Sequence, residues 1–280
     1  MFERFSRSWS LVKASAAVLR QDKELLLFPV LSSIATLVVI ATFAIPLVAS
    51  GALEGLEARD EMPPGFMLLL FLLYLSQYFV IFFFNTALVG AAMIRLNGGD
   101  PTVADGLRIA KSKVVPILGY AAIAATVGLI LRLIEERAGF IGRWIVGLLG
   151  IAFTVATFLT VPVLVTRDVG PVEAVKESAR LLKKTWGENI IGNGGLSAVF
   201  MVAHVGIVVL AIMLFSMADG NRAMIIATMV LGIAAAIGLG LVQAALQGVY
   251  SAALYRYATE GQAGDSFDSD LLSDAFRRKI

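Results

Sequence analysis

Residues 66–94 read FMLLLFLLYLSQYFVIFFFNTALVGAAMI and contain no Asp, Glu, Lys or Arg. A helix needs about 20 mostly apolar residues to cross the hydrocarbon core of a bilayer, and this run exceeds that length. Working outward, five more stretches qualify: residues 25–50, 114–134, 144–166, 190–217 and 223–255. They fall into three hairpins. The expected fold is an all-α polytopic integral membrane protein with six transmembrane helices.

The rest of the composition agrees. Of 280 residues 58% are hydrophobic, and mean hydropathy is +0.84. Soluble domains sit nearer 45–50% apolar. Only 16% of residues are charged and the net charge is +2. With no concentrated basic patch, no nucleic-acid partner is expected. Cysteine is absent, which removes disulfides, thiolate nucleophiles and Cys-ligated metals together. One histidine, His204, removes His-pair metal sites. No cofactor and no metal are expected. The first apolar run begins near Leu25 and is about twice the length of a signal-peptide core, so it reads as a retained span, not a cleaved leader, despite the small residues Val48-Ala49-Ser50.

Lys and Arg set the expected orientation. If the N-terminus is cytoplasmic, 18 of the 23 basic residues fall inside and five (Arg59, Arg132, Arg137, Arg143 and Arg222) fall outside. The positive-inside rule then places both termini in the cytoplasm of a bacterial inner membrane. The first outside loop, residues 51–65, carries Glu54, Glu57, Asp60 and Glu61 and ends in Pro63-Pro64.

The inside connections carry amphipathic segments. Phe2, Phe5, Trp9, Val12, Ala16 and Leu19 form a helical stripe with Arg4, Arg7 and Lys13 off its centre. Asp100-Pro101 is expected to open a second helix as N-cap and first helical residue, with Val103, Leu107, Ala110 and Val114 as its apolar face. Gly170-Pro171 opens a third, with Val172, Val175, Ala179 and Leu182 on the apolar face and Glu173, Lys176, Glu177, Arg180, Lys183 and Lys184 opposite. Glu173–Lys176 and Glu177–Arg180 have the i, i+3 spacing of helix-surface pairs. Phe2, Phe5, Trp9, Val12, Leu107 and Leu182 are the membrane-interface candidates. The recurring unit is one amphipathic helix plus one hairpin, repeated over residues 1–99, 100–169 and 170–258, within one transmembrane domain, 1–258. The hairpin ends repeat too: Ala91-Ala92-Met93-Ile94-Arg95-Leu96 beside Ala252-Ala253-Leu254-Tyr255-Arg256-Tyr257. Residues 259–280, rich in Gly, Asp and Ser, read as a mobile cytoplasmic tail.

Phe2-Glu3-Arg4-Phe5-Ser6-Arg7-Ser8-Trp9, then Asp22-Lys23-Glu24-Leu25-Leu26-Leu27-Phe28-Pro29, resembles an uncharacterised family of bacterial six-span membrane proteins. Val161-Pro162-Val163-Leu164-Val165 with Gly170-Pro171-Val172-Glu173-Ala174-Val175-Lys176-Glu177-Ser178 is similar to the membrane domain fused to some glycerophosphodiester phosphodiesterases. The resemblance implies a fold and transfers no catalytic residue, because the acidic metal ligands and catalytic histidines of the soluble barrel have no counterpart here.

Polar residues inside spans are costly and mark candidate sites. Gln77, Asn85, Thr86, Thr157, His204, Gln243, Gln247 and Tyr250 form the candidate polar interior. Gln243, Gln247 and Tyr250 share one helix face at i, i+4, i+7. Such residues line a cavity or hydrogen-bond between helices. His204 has no carboxylate partner on its own helix, and no Asp or Glu lies deep in a span. Gly232, Ala236 and Gly240 have small-xxx-small spacing for close helix approach. Pro29, Pro46, Pro116 and Pro162 sit where helices kink or break. No catalytic residue is assigned. Three functions compete: a non-enzymatic scaffold or assembly factor that binds membrane lipids, a membrane-protein partner or a second copy of itself; a transporter or channel for a small or amphiphilic solute; and an intramembrane enzyme, motivated only by His204.

Overall fold

The computed structural model describes residues 13–51, 63–186, 190–218 and 221–261. Among them every regular element is a helix. A helix over residues 13–21 (α1) and a 3₁₀ turn, Lys23–Leu26, lead into α2 (Leu27–Ala49). Then follow α3 (Pro64–Leu96), α4 (Val103–Ser112), α5 (Val114–Arg137), α6 (Phe140–Ala156), α7 (Thr160–Thr166), α8 (Pro171–Trp186), α9 (Ile190–Ser216) and α10 (Arg222–Glu260). Six stretches are long and apolar enough to cross a bilayer: Lys23–Ala49, Gly65–Leu96, Val114–Arg137, Phe140–Thr166, Val199–Ser216 and Arg222–Glu260. The all-α, six-span expectation holds. Phe2, Phe5, Trp9 and Val12, and the tail beyond residue 261, lie outside the described residues.

The described chain divides into two compact units. One contains α1, the 3₁₀ turn, the last turn of α3, and α9 with α10. In it α10 packs along α9 and also meets the 3₁₀ turn. Gly232 lets α10 approach Ala211, 3.7 Å from the position of an added Cβ. Gly240 has open space around that position, so the small-residue spacing describes a helix contact at one end only. The other unit contains most of α2 and α3 and runs from α4 into α8. There Phe82 of α3 stacks on Tyr120 of α5, with ring centres 4.2 Å apart. Gly90 admits Ile109 of α4, and Gly119 admits the ring of Pro171 at the start of α8.

Burial is one-sided along the spans. Buried residues concentrate toward one end of five of them: Phe28 in α2, Ala87–Leu88–Val89 and Ala91–Ala92–Met93 in α3, Ile117 to Ala125 in α5, Leu159 to Leu164 around α7, and Ala245 to Tyr255 in α10. Alanine and glycine dominate several of these stretches, which lets backbones approach closely. The opposite ends and most of α9 expose Ile, Leu, Val and Met, as expected of helix faces bathed in lipid.

The connections are fixed by local chemistry. α3 ends in a glycine-dependent turn: Gly98 adopts φ +82°, its N–H donates to Arg95 O at 2.9 Å, and the Gly99 N–H donates to Ile94 O at 3.0 Å. This double closure satisfies terminal carbonyls and requires the left-handed conformation that glycine tolerates. The second amphipathic helix starts later than Asp100-Pro101 suggests. Thr102 is its N-cap. The Thr102 hydroxyl accepts from Asp105 N, and the Asp105 carboxylate accepts from Thr102 N at 3.1 Å, a reciprocal capping box. Asp100 pairs instead with Arg95. The third helix does begin at Pro171.

Candidate functional site

The fourth span is not the continuous helix its hydropathy suggests. α6 stops at Ala156, and α7 starts at Thr160. Pro162 has no N–H to give to Phe158 O, and its ring crowds that carbonyl. The turn before it tightens: Phe158 N donates to Val155 O at 3.2 Å, and Thr160 N donates to Thr157 O at 3.0 Å. Leu159 N and Ala156 O are thereby left without their α-helical partners. Both are taken by one side chain. The Ser178 hydroxyl accepts from Leu159 N at 3.0 Å and donates to Ala156 O at 2.7 Å. Ser178 is fully buried. The interruption lies about 10 Å from the Thr166 end of the span, at 1.5 Å per residue.

Ser178 is delivered by α8, whose buried face is Ala174, Ser178, Leu181 and Leu182. That face is rotated from the expected one. Val172 is 55% exposed, while Leu182 is buried as anticipated. At the interruption Thr157 donates to Phe153 O at 2.8 Å, and the buried ring of Tyr120 stacks on Phe82 nearby. Charged groups fasten the middle of α8 and the segment that precedes it. Glu177 binds Arg167 at 3.0 Å and Arg180 at 2.8 Å, the latter being the i, i+3 pair legible in the sequence. Lys113, just ahead of α5, donates to Arg167 O at 3.0 Å and approaches Asp168 at 3.4 Å.

In the other unit Arg95 binds the buried Asp22 at 3.3 Å and also Asp100. Arg256 donates to Leu96 O, a terminal carbonyl of α3, and binds Glu260 at 3.3 Å. The carboxylate of Asp22, between α1 and the first span, was not among the candidates. Its only signal in the sequence is a lone acid where a capping residue belongs.

Four of the eight candidate polar residues, Thr157 among them, bond to backbone. Gln77 donates to Thr36 O of the first span at 3.4 Å. Thr86, fully buried, donates to Phe82 O at 2.7 Å. His204 Nδ1 lies 2.8 Å from Phe200 O on its own helix. Asn85, Gln243 and Gln247 are half-buried and Tyr250 is buried; Leu107 is half-buried on α4. Among the described residues no group of three or more His, Cys, Asp or Glu could hold a metal ion.

Six apolar spans, buried hydroxyls such as those of Thr86, Thr157, Ser178 and Ser251 bonded to backbone carbonyls, and charge kept to the connections and span ends define a multi-pass helical membrane protein. Within that class the chain belongs to a family of unknown function, DUF6159, whose model matches residues 65–267. No curated protein matches the chain.

Proposed function

We propose that this protein is a non-enzymatic scaffold of the bacterial inner membrane, built from three amphipathic-helix-plus-hairpin repeats with both termini cytoplasmic. It holds basic helix faces against anionic lipid headgroups or a membrane partner. The observation that carries this reading is the division of labour on the connecting helices. Their apolar faces are buried within the protein: Ala14, Ser15, Val18 and Leu19 on α1, Gly106 and Ala110 on α4, Ala174, Ser178 and Leu182 on α8. Their exposed faces carry Lys13 and Arg20, Arg108 and Lys111, and Lys176, Arg180 and Lys183. These positions seat each helix on the protein, while Leu107 stays half-buried and Val172 stays exposed. The basic faces are what each helix offers outward, and each Lys or Arg near an anionic leaflet adds about 1 kcal/mol of attraction.

A shared register supports the repeat. Ser15, Gly106 and Ser178 are buried; four residues on, Leu19, Ala110 and Leu182 are buried; one further, Arg20, Lys111 and Lys183 are exposed. In the same register Asp105–Arg108 and Glu177–Arg180 form i, i+3 ion pairs at 2.9 and 2.8 Å. Arg95 and Arg167 each precede the buried small residue by the same interval.

The interrupted fourth span favours a second reading, transport of a small or amphiphilic solute, since broken helices line many transporter sites. There the freed backbone groups bind cargo. Here Leu159 N and Ala156 O are both occupied by Ser178, which argues for a sealed joint. The test replaces Arg108, Lys111, Arg180 and Lys183 together with Gln. The scaffold reading expects a folded protein that loses partner cross-linking in cells and stabilisation by anionic lipid. Retention of both, or solute flux in proteoliposomes of the unaltered protein, overturns it.

A further inference from the structure

At the other end of α5 from Lys113, a groove of about 490 Å³ opens against α3. It is lined by Met67, Ile130, Leu133, Ile134 and Ala138, with Arg137 as its one charged residue. We propose that this groove binds one acyl chain of an anionic membrane phospholipid, with the lipid phosphate on the Arg137 guanidinium.

Three observations carry the assignment. The first is depth. Arg137 ends α5, and just beyond it Phe140 and Trp144 are 78% and 66% exposed with their rings in edge-on contact. Exposed aromatic rings at a span end sit at headgroup level. Ile130 lies two helical turns deeper, about 10 Å into the hydrocarbon. The groove therefore runs from headgroup to acyl-chain depth.

The second is lining chemistry. The deep residues are apolar and have no use for a polar solute. The third is charge. Arg132, one turn and a half back, is committed: it donates to the Tyr74 hydroxyl at 2.8 Å and to Glu136 at 3.0 Å, tying α5 to α3 beside the groove. Arg137 has no hydrogen bond or ion pair among the described residues. A guanidinium matches phosphate with paired N–H donors, and such charge-assisted bonds are among the strong ones.

The inference does not rest on the scaffold reading, whose basic faces lie on α1, α4 and α8. The full chain, purified in detergent, is titrated with dioleoyl phosphatidylglycerol or dioleoyl phosphatidylcholine and followed by native mass spectrometry. The unaltered protein should hold the anionic lipid about tenfold more tightly, the scale of one charged hydrogen-bonded contact. Arg137→Gln should lower that affinity toward the phosphatidylcholine level, and Arg137→Lys should keep more of the preference. Leu133→Trp, which fills the groove, should weaken both lipids. If that variant fails to fold, the two Arg137 variants decide alone. The four-site Gln variant of α4 and α8 should keep the share of the preference that Arg137→Gln removes. Three results overturn the proposal: no lipid preference in the unaltered protein, an undiminished preference in Arg137→Gln, or inorganic phosphate displacing the lipid at equal concentration.

Discussion

At the scale of single residues, Ser178 decides whether the fourth span closes. Its hydroxyl serves as acceptor and donor at once, and burial leaves no water to replace it. Ser178→Ala strands one buried N–H and one buried C=O, each costly when unpaired. The expected loss is about 1–3 kcal/mol, the membrane setting holding it toward the low end, read from thermal unfolding in detergent. An unchanged melting temperature would show that the interruption is satisfied some other way. Gly119 gives a second residue-level outcome. An added Cβ there would lie 2.6 Å from Cγ of Pro171, and a proline ring cannot rotate aside. Gly119→Ala should destabilise by about 1–3 kcal/mol through overpacking, whereas Gly240→Leu, with open space around it, should be close to neutral. Reading residues alone would rank these two the other way, because small-xxx-small spacing identifies a face without saying how far its partner helix runs. Ser178 was missed, because the apolar face read from the sequence was Val172, Val175, Ala179 and Leu182. It falls four residues after Ala174 and four before Leu182, a hydroxyl on an apolar stripe that asks for a buried partner. Which carbonyl it meets depends on a fold contact between residues far apart in sequence.

At the scale of elements, α4 is set by its cap. Hydrogen bonds from the Thr102 hydroxyl and then the Thr102 N–H hold the Asp105 carboxyl below its ordinary range, with Arg108 adding to the effect. A carboxyl depressed in the folded state stabilises above its unfolded value, near 3.9, and that contribution is lost as pH falls through the lower folded value. The first-turn amides of α4 should therefore be fully protected at neutral pH and lose protection in strong acid, as followed by hydrogen exchange. Asp105→Asn should weaken that protection at neutral pH and flatten its pH dependence; a variant with the original profile would place the protection elsewhere. Spans were the easiest elements to read, because lipid demands length and apolarity and little else. Their ends were harder. Asp100-Pro101 has the residue types of a cap, yet the Thr102–Asp105 reciprocal pair satisfies two donors and wins the helix start. The interruption after Ala156 is invisible to hydropathy, since Phe158, Leu159 and Val161 are as apolar as a continuous helix requires; Pro162 alone marked it.

At the scale of the whole chain, orientation follows from where charge is fixed. Arg95, Arg167 and Arg256 each end a hairpin, and each is held by a carboxylate: Asp22 and Asp100, Glu177, and Glu260. These residues are bonded into the fold at the same ends of the spans where the chain is most buried. Inverting one hairpin would carry its arginine across the hydrocarbon and break its ion pair, so the three hairpins should enter the membrane from the same side. With the hairpins so placed, 18 of the 23 basic residues would fall on one side, and that side is expected to be the cytoplasm. Reporter fusions after Ile280 and within the loop at Glu57 test this: the first should be active only as a cytoplasmic reporter and the second only as an external one. Because the bias is carried by many residues, single neutralisations should leave both signals unchanged. A fusion after Ile280 that reports the external side would remove the positive-inside argument and, with it, the placing of the basic helix faces against an anionic inner leaflet.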